Sequence, residues 1–377
     1  MENIRTGKYI NQLQGNLQYK AFVPNLLPFQ IIPDSTLDDL LSKGNIALGR
    51  LDGIAEILPD VDFFILMYVR KEATLSSQVE GTQATFCDLL KAEAKIHDLE
   101  IHKDVDEIVD YIKAMNYGLE QLSTLPLSLR LIKEIHKILL EGVRGEWKNP
   151  GEFRTSQNWI GGPSIQTASF IPAPPGELFT LLDNFEKFLH DPSPLPILIK
   201  AGLLHAQFEN IHPFLDGNGR VGRLLITFYL CQQGILKKPL LYLSEFFKIN
   251  RQNYYDKLNA LHEKDDIEAW LKFFIEGVAK TSDKAVGTTR EILKLRNSDF
   301  NKVLTLGRKA HKGKQLLDYL YHMPIINVKT AERVAELKNP NALALLRKFV
   351  EIGILQEISG KKRNQIYSYQ KYINLFD

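Results

Sequence analysis

The sequence predicts a mainly α fold: a helical core with a β-hairpin flap, an N-terminal helical region and a C-terminal winged helix-turn-helix. Three observations carry this. Apolar residues recur at helical spacing through most of the chain from Ser35 onward. One window, 145–176, replaces that pattern with glycine, proline and β-formers. The last stretch reads helix, helix, helix and then a two-stranded ribbon turning at Ser359, Gly360 and Lys361. At 377 residues the chain suits two or three domains, here 1–114, 115–285 and 300–377.

In order along the chain, FVPNLLPFQIIP carries Pro24, Pro28 and Pro33 and predicts an extended arm, because proline fixes its own φ and pushes the preceding residue out of the helical region. LDDLLSKGNIALGRLDGIAEIL follows as a helix. Next, VDFFILMYVRKEATLSSQVEGTQATFCDLLKA reads as one helical pattern. VDEIVDYIKAMNYGLEQL spans 105–122, and the next helix begins near Ser128. After the flap come ELFTLLDNFEKFL and LIKAGLLHAQFENI, then RVGRLLITFYLCQQG with Gly234 as a stop. QNYYDKLNALHE and DIEAWLKFFIEGVAKTSDKAVGTTREILKLR complete the core.

The composition, 44% hydrophobic and 24% charged, is globular. No run approaches the roughly 18–20 apolar residues of a membrane helix, and FFILMYV at 63–69 reads as core. The N-terminus has no signal-peptide pattern, and Cys87 and Cys231 sit in apolar helical patterns. Buried thiols in a reducing cytoplasm are therefore expected. The net charge is +2, but residues 301–377 hold 14 Lys and Arg against 6 Asp and Glu. A mildly acidic body with a basic C-terminal piece suggests different partners for the two.

The chemistry concentrates in HPFLDGNGRVGR, residues 212–223. Gly217, Gly219 and Gly222 allow a tight turn whose N–H groups converge on an anion. The helix that follows adds its positive end. Arg220 and Arg223, three apart, share a helix face, and guanidinium forks suit phosphate oxygens. Asp216 beside a phosphate calls for a cation between them, the usual Mg²⁺ arrangement. His212 suits proton abstraction from a hydroxyl. His205 stands seven residues before His212, at neither metal-ligating spacing, which argues against zinc. A polyphosphate fits these residues together better than a plain polar loop does.

HPFLDGNGRVGR resembles the Fic motif, HPFx(D/E)GNGRxxR, at every defined position, and the surrounding 115–285 is similar to Fic proteins. The resemblance implies transfer of AMP from ATP to a protein hydroxyl. It makes His212 the general base, Asp216 the Mg²⁺ ligand, and Asn218 with the glycine amides the binders of the α- and β-phosphates. Arg220 assists there, Arg223 grips the γ-phosphate, and Phe214 anchors the loop in the core. Val221 and Gly222 complete the nucleotide-binding turn. TASFIPAPP at 167–175, with Thr167, Ala168, Ser169 and Phe170, is implied to position the target by strand addition. Tyr254 falls where relatives place a tyrosine near the adenine, while His262 replaces an asparagine found in some relatives. SSQVEG at 76–81 resembles the inhibitory (S/T)xxxE(G/N) motif, implying that Glu80 pairs with Arg223 and displaces the γ-phosphate's partner. Other readings remain: phosphoryl transfer, disfavoured by Gly219 where kinase relatives have lysine; AMP removal using Glu80; and a nucleotide-sensing regulator acting on DNA through the C-terminal piece. The expected partners are ATP and a protein substrate, with DNA and a second copy of the chain as further alternatives.

Overall fold

The computed structural model describes residues 4–57, 61–95, 102–142, 148–192 and 194–376. Its elements are β1 Gly7–Gln12, β2 Tyr19–Pro24, α1 Ser35–Ile57, α2 Val61–Val79, α3 Phe86–Glu93, α4 Val105–Gln121 and α5 Leu129–Leu139. There follow α6 Leu178–His190, α7 Ile197–Ile211, α8 Asn218–Gln232, α9 Ser244–Ile249, α10 Arg251–Lys264 and α11 Ile267–Leu304. The C-terminal elements are α12 Ala310–His322, β3 Ile325–Asn327, α13 Val328–Ala335, α14 Asn339–Glu351, β4 Gln356–Glu357, β5 Ile366–Ser368 and α15 Gln370–Ile373. Helices dominate, and the buried apolar side chains form a continuous cluster reaching from Val23 to Phe376. Among the described residues no helix is long and apolar enough to cross a membrane.

The arm expected to be extended folds back on itself, β1 pairing antiparallel with β2. Its prolines lie at or beyond the end of β2, where no ladder N–H is needed. Arg5 bonds Asp265 and Glu268, and Phe22 N–H donates to Ile171 O at 2.9 Å, so the hairpin lies beside the flap.

The pattern that read as one helix across 61–92 is two. Gly81 has φ +107, a value helices exclude, and Thr85 begins a new helix through a reciprocal capping pair with Asp88. Glu80 therefore stands just beyond the end of α2. Cys87, expected to be buried, is exposed in the first turn of α3, because the buried face of that short helix is set by Leu89 and Leu90. Cys231 is partly covered, and burial pushes its thiol up to about 12.

The flap is slighter than the hairpin expected. Residues 145–147 lie outside the described residues, and the ladder of the remainder is the single bridge between Ile160 and Phe170. Pro163, Pro172, Pro174 and Pro175 have no N–H to extend it, and a one-turn helix at Ile165–Thr167 closes the loop.

α7 and α8 are buried nearly all round and hold the motif loop between them. The C-terminal ribbon gains a third strand: β3, with Ile325 and Ile326 buried, gives an antiparallel sheet in the order β3-β5-β4. This unit leans on α2. Arg70 Nη1 donates to His322 O at 2.7 Å, and Phe376, 2% exposed, packs on Tyr68 and Phe86. Phe376→Ala is expected to cost about 3–5 kcal/mol, the usual loss for a buried phenylalanine. The denaturant midpoint checks this, and a wild-type midpoint would mean that the tail does not contribute to the core.

Candidate active site

His212 caps α7 in the left-handed region, at φ 48 and ψ 61, an unfavourable conformation for a residue with a Cβ. Several fasteners hold it there. Its N–H donates to Phe208 O at 2.9 Å. Arg154 Nε donates to His212 O at 2.9 Å, and Nη2 of the same guanidinium donates to Ala173 O and Ile211 O. Asn158 Nδ2 donates to Phe214 O at 2.9 Å. Phe214 is fully buried and stacks on His136 with ring centroids 3.7 Å apart. Gly151 N–H donates to His136 Nδ1, so Nε2 carries the hydrogen and donates to Asp216 O at 3.0 Å.

The position of Asn218 differs from that of a phosphate ligand. Its Oδ1 accepts from Phe214 N–H and its Nδ2 donates to Phe214 O, both at 2.8 Å. The Asn218 side chain thus closes the loop onto Phe214, while its backbone N–H heads α8.

Burial pushes the His212 imidazole down to about 4, so it is neutral at neutral pH. Its Nδ1 faces the Glu209 carbonyl at 3.3 Å. A carbonyl only accepts, so Nδ1 carries the hydrogen and Nε2 keeps a lone pair. That is the state a general base requires.

The turn after His212 hinges on Gly217, at φ +77, and α8 starts immediately behind it. The first turn of a helix leaves N–H groups without helical partners, here those of Asn218, Gly219 and Arg220. Arg220 lies 3.8 Å from Asp216 Oδ1, and its buried Nε has no hydrogen-bond partner. The Asp216 side chain is 47% exposed and lines a cavity of about 760 Å³ together with Glu80, Arg220 and Leu140. Val221 is fully buried and faces the core.

At the far side of the cavity Glu80 meets Arg223, although 143 residues separate them. Arg223 Nη2 donates to Glu80 Oε1 at 2.7 Å. The contact is single, because Nε donates to Ser76 Oγ at 2.8 Å and Nη2 also donates to Ser76 O. Burial pushes the Glu80 carboxyl up, but the guanidinium outweighs it and holds the group below the usual range. Burial likewise opposes the charge on Arg223, and Glu80 more than restores it. Gly219 makes the approach possible, since a Cβ there would lie 2.2 Å from Glu80 Oε1.

Tyr254 does not face this cavity. It is 1% exposed and its hydroxyl bonds His205 Nε2 at 2.9 Å, within a cluster that includes Phe247 and Trp270. Burial holds His205 down to about 3, so this imidazole is neutral and its Nδ1–H donates to Gly222 O. In the flap, Thr167 and Ser169 are exposed, Ala168 is half-buried, and Phe170 is buried against His262 with centroids 4.4 Å apart. His262 is itself buried and bonds Tyr9. Ser76 is marked by the inhibitory motif, whereas Arg154, Asn158 and Glu209 take part in the site without having been assigned roles from sequence. Their signal was weak: single polar residues in a loop or on a helix, with no spacing rule to join them.

A neutral imidazole beside a helix N-terminus, with two buried guanidinium groups next to a cavity that Glu80 and Asp216 help to line, can accept a phosphate-bearing ligand. Residues 39–120 match the Fic/DOC family N-terminal region and residues 126–230 match the Fic/DOC family. The chain thus carries a region similar to the Fic/DOC family N-terminal part followed by one similar to the Fic/DOC family itself. Protein adenylyltransferase Fic of Aedes aegypti is 32% identical over 169 residues, 44% of this chain and 30% of that protein. The protein of the same name from Drosophila virilis is 32% identical over 191 residues, 50% of this chain and 36% of its own. The chain thus spans about a third of the length of the curated relatives it matches. Two crystal structures share the fold. A Fic family protein from Desulfovibrio desulfuricans has a TM-score of 0.56 at 17% identity, covering 91% of this chain and 97% of that one. A Fic domain containing signaling protein from Bacteroides thetaiotaomicron has a TM-score of 0.53 at 20% identity, covering 68% and 97%.

Proposed function

We propose that this chain is a protein adenylyltransferase, moving AMP from ATP to a hydroxyl side chain of a protein, with Glu80 as a brake. The observation that carries the reading is His212: a neutral imidazole with its Nε2 lone pair free, fixed beside the N-terminus of α8. Curated relatives named as protein adenylyltransferases support it. In this reading His212 takes the proton of the attacking hydroxyl. The N–H groups of Gly219 and Arg220, with the Arg220 guanidinium, hold the phosphates, and Arg223 takes the γ-phosphate once Glu80 leaves. Thr167, Ala168 and Ser169 offer the flap backbone to the target, and Tyr254 supports the nucleotide site from behind through His205. The test is incubation with ATP labelled on the α-phosphorus. Label appearing on protein supports the reading, and label found only with the γ-phosphorus would make the chain a kinase instead.

Mg²⁺ fits Asp216. Its carboxylate faces the same cavity as Arg220, and one carboxylate with substrate phosphates is the ion's usual donor set. When bound, it would neutralise charge on the phosphates. Asp216→Ala is expected to remove both AMP transfer and its dependence on Mg²⁺. Normal transfer and metal dependence in this variant would place the ligand elsewhere.

We read residues 300–377 as a winged helix, set apart from 1–114 and the catalytic 115–285. The order α12, β3, α13, α14, β4, β5 and the exposed Lys361, Lys362 and Arg363 in the turn between β4 and β5 support DNA as its partner. A salt-dependent gel shift of the full chain checks this, because phosphate contacts weaken as salt rises. No shift at low salt would exclude it.

A further inference from the structure

Glu209, one turn before His212 on α7, offers its backbone carbonyl to His212 Nδ1, which leaves its side-chain carboxyl without a role. It is a carboxyl group placed where carboxyl groups are rarely left. Its side chain is 11% exposed and its Oε1 is buried with no hydrogen-bond partner. Its Oε2 lies 4.0 Å from His212 Nδ1. Gly222 leaves room for the carboxyl where it stands, since a Cβ there would lie 2.4 Å from Glu209 Oε1. A buried polar atom without a partner is costly, and an apolar residue would fill the same space at lower cost.

We propose that Glu209 is the counter-carboxylate of His212, balancing the imidazolium formed when His212 takes the proton of the attacking hydroxyl. This rests on the adenylyltransferase reading. The step balances simply. The hydroxyl proton passes to His212 Nε2 as its oxygen bonds the α-phosphorus, and the bond to pyrophosphate breaks with its electron pair. The resulting cation, shared with Nδ1–H, then faces the ionised Glu209. An opposite charge at this range favours the charged imidazole, which makes Nε2 the stronger base. Glu209 touches neither substrate nor the reacting atoms, so it is a positioning residue acting through His212.

The charged and titratable neighbours of the pair come from every packed element. Arg223 of α8 draws Glu209 toward ionisation, and Glu80 beyond α2 opposes it. Tyr254 of α10 faces Glu209, while Arg154 and Asp216 flank the imidazole. Burial is the largest influence and pushes the Glu209 carboxyl up to about 8. A raised acid is protonated below that value and ionised above it. Transfer should therefore increase as pH rises through about 8.

Two measurements test this with Glu209→Gln, which keeps the shape and removes the charge. The first needs no activity. In protein carrying ¹⁵N-histidine, the His212 resonance, assigned with His212→Gln, is followed against pH. Wild type should show a step near pH 8 without protonation of the ring, and Glu209→Gln should lose it. The second places the change in a Glu80→Gly background. With Glu80 gone its opposition to Glu209 ionisation is lost, and the rise should fall below pH 8. Glu209→Gln should lower kcat about tenfold at pH 9, flatten that rise and leave the KM for ATP unchanged. Glu209→Asp should keep the rise. The same step in both proteins, or identical pH profiles, would overturn the proposal. If no variant transfers AMP, the adenylyltransferase reading fails, and the NMR step alone still decides whether Glu209 and His212 are coupled.

Discussion

His212→Ala is expected to lower AMP transfer by about 10²–10⁴-fold, the usual contribution of a general base. ATP binding should persist, because the imidazole handles a proton while the phosphates are held by N–H groups and arginines. Transfer of labelled AMP in the Glu80→Gly background, with calorimetric ATP binding alongside, separates the two. Near-normal labelling by the alanine variant would remove His212 from the reaction. The structure adds a condition. His212 occupies a left-handed conformation held by Arg154 and Phe208, and alanine tolerates that conformation no better than histidine does. The loop therefore depends on its fasteners rather than on the imidazole, and loss of activity without loss of folding is the outcome to look for.

Glu80→Gly is expected to raise AMP labelling about 10²-fold, which requires the resting contact to be worth only ~3 kcal/mol. The geometry sharpens what was expected of this pair. The contact is one charge-assisted bond rather than a bidentate fork, and the Glu80 side chain is 39% exposed while that of Arg223 is 1% exposed. An exposed pair would be too weak to act as a brake, but a guanidinium this deeply covered is desolvated whether or not Glu80 is present. Ser76 keeps two hydrogen bonds on Arg223, so in Glu80→Gly the guanidinium should stay aimed at the cavity. Arg223→Ala added to Glu80→Gly should erase the gain. Unchanged labelling in Glu80→Gly would make Glu80 an ordinary residue at a helix end, and a gain persisting without Arg223 would mean that Glu80 restrains something else. Slower AMP removal with no faster addition would point to Glu80 as the base of the reverse reaction.

Much of this was legible in the residues. Helical spacing located α4, α5 and α6 because burial of one face leaves a periodic trace that needs no knowledge of partners. Ser128 marked the start of α5, and its Oγ accepts from Leu131 N–H as a helix cap should. The motif at 212–223 was legible because one turn and one helix N-terminus hold its chemistry within twelve residues. Less local features were misread. The helix at 61–92 broke at Gly81 because a single backbone angle overrides an apolar pattern, and the flap shrank to one bridge because its prolines cannot donate.

The sequence alone determined the mainly α class, the neighbouring placement of His212, Asp216, Arg220 and Arg223, and Glu80 as a residue of interest. Tertiary structure alone decided which partner each polar group takes. It set Glu80 on Nη2 of Arg223 and Ser76 on Nε and that same Nη2, closed Asn218 onto Phe214, turned Tyr254 toward His205 and left Glu209 buried beside His212. Hydrogen-bond partners are chosen by which groups lose water together as helices pack. That depends on segments far apart in sequence, so no local pattern records it.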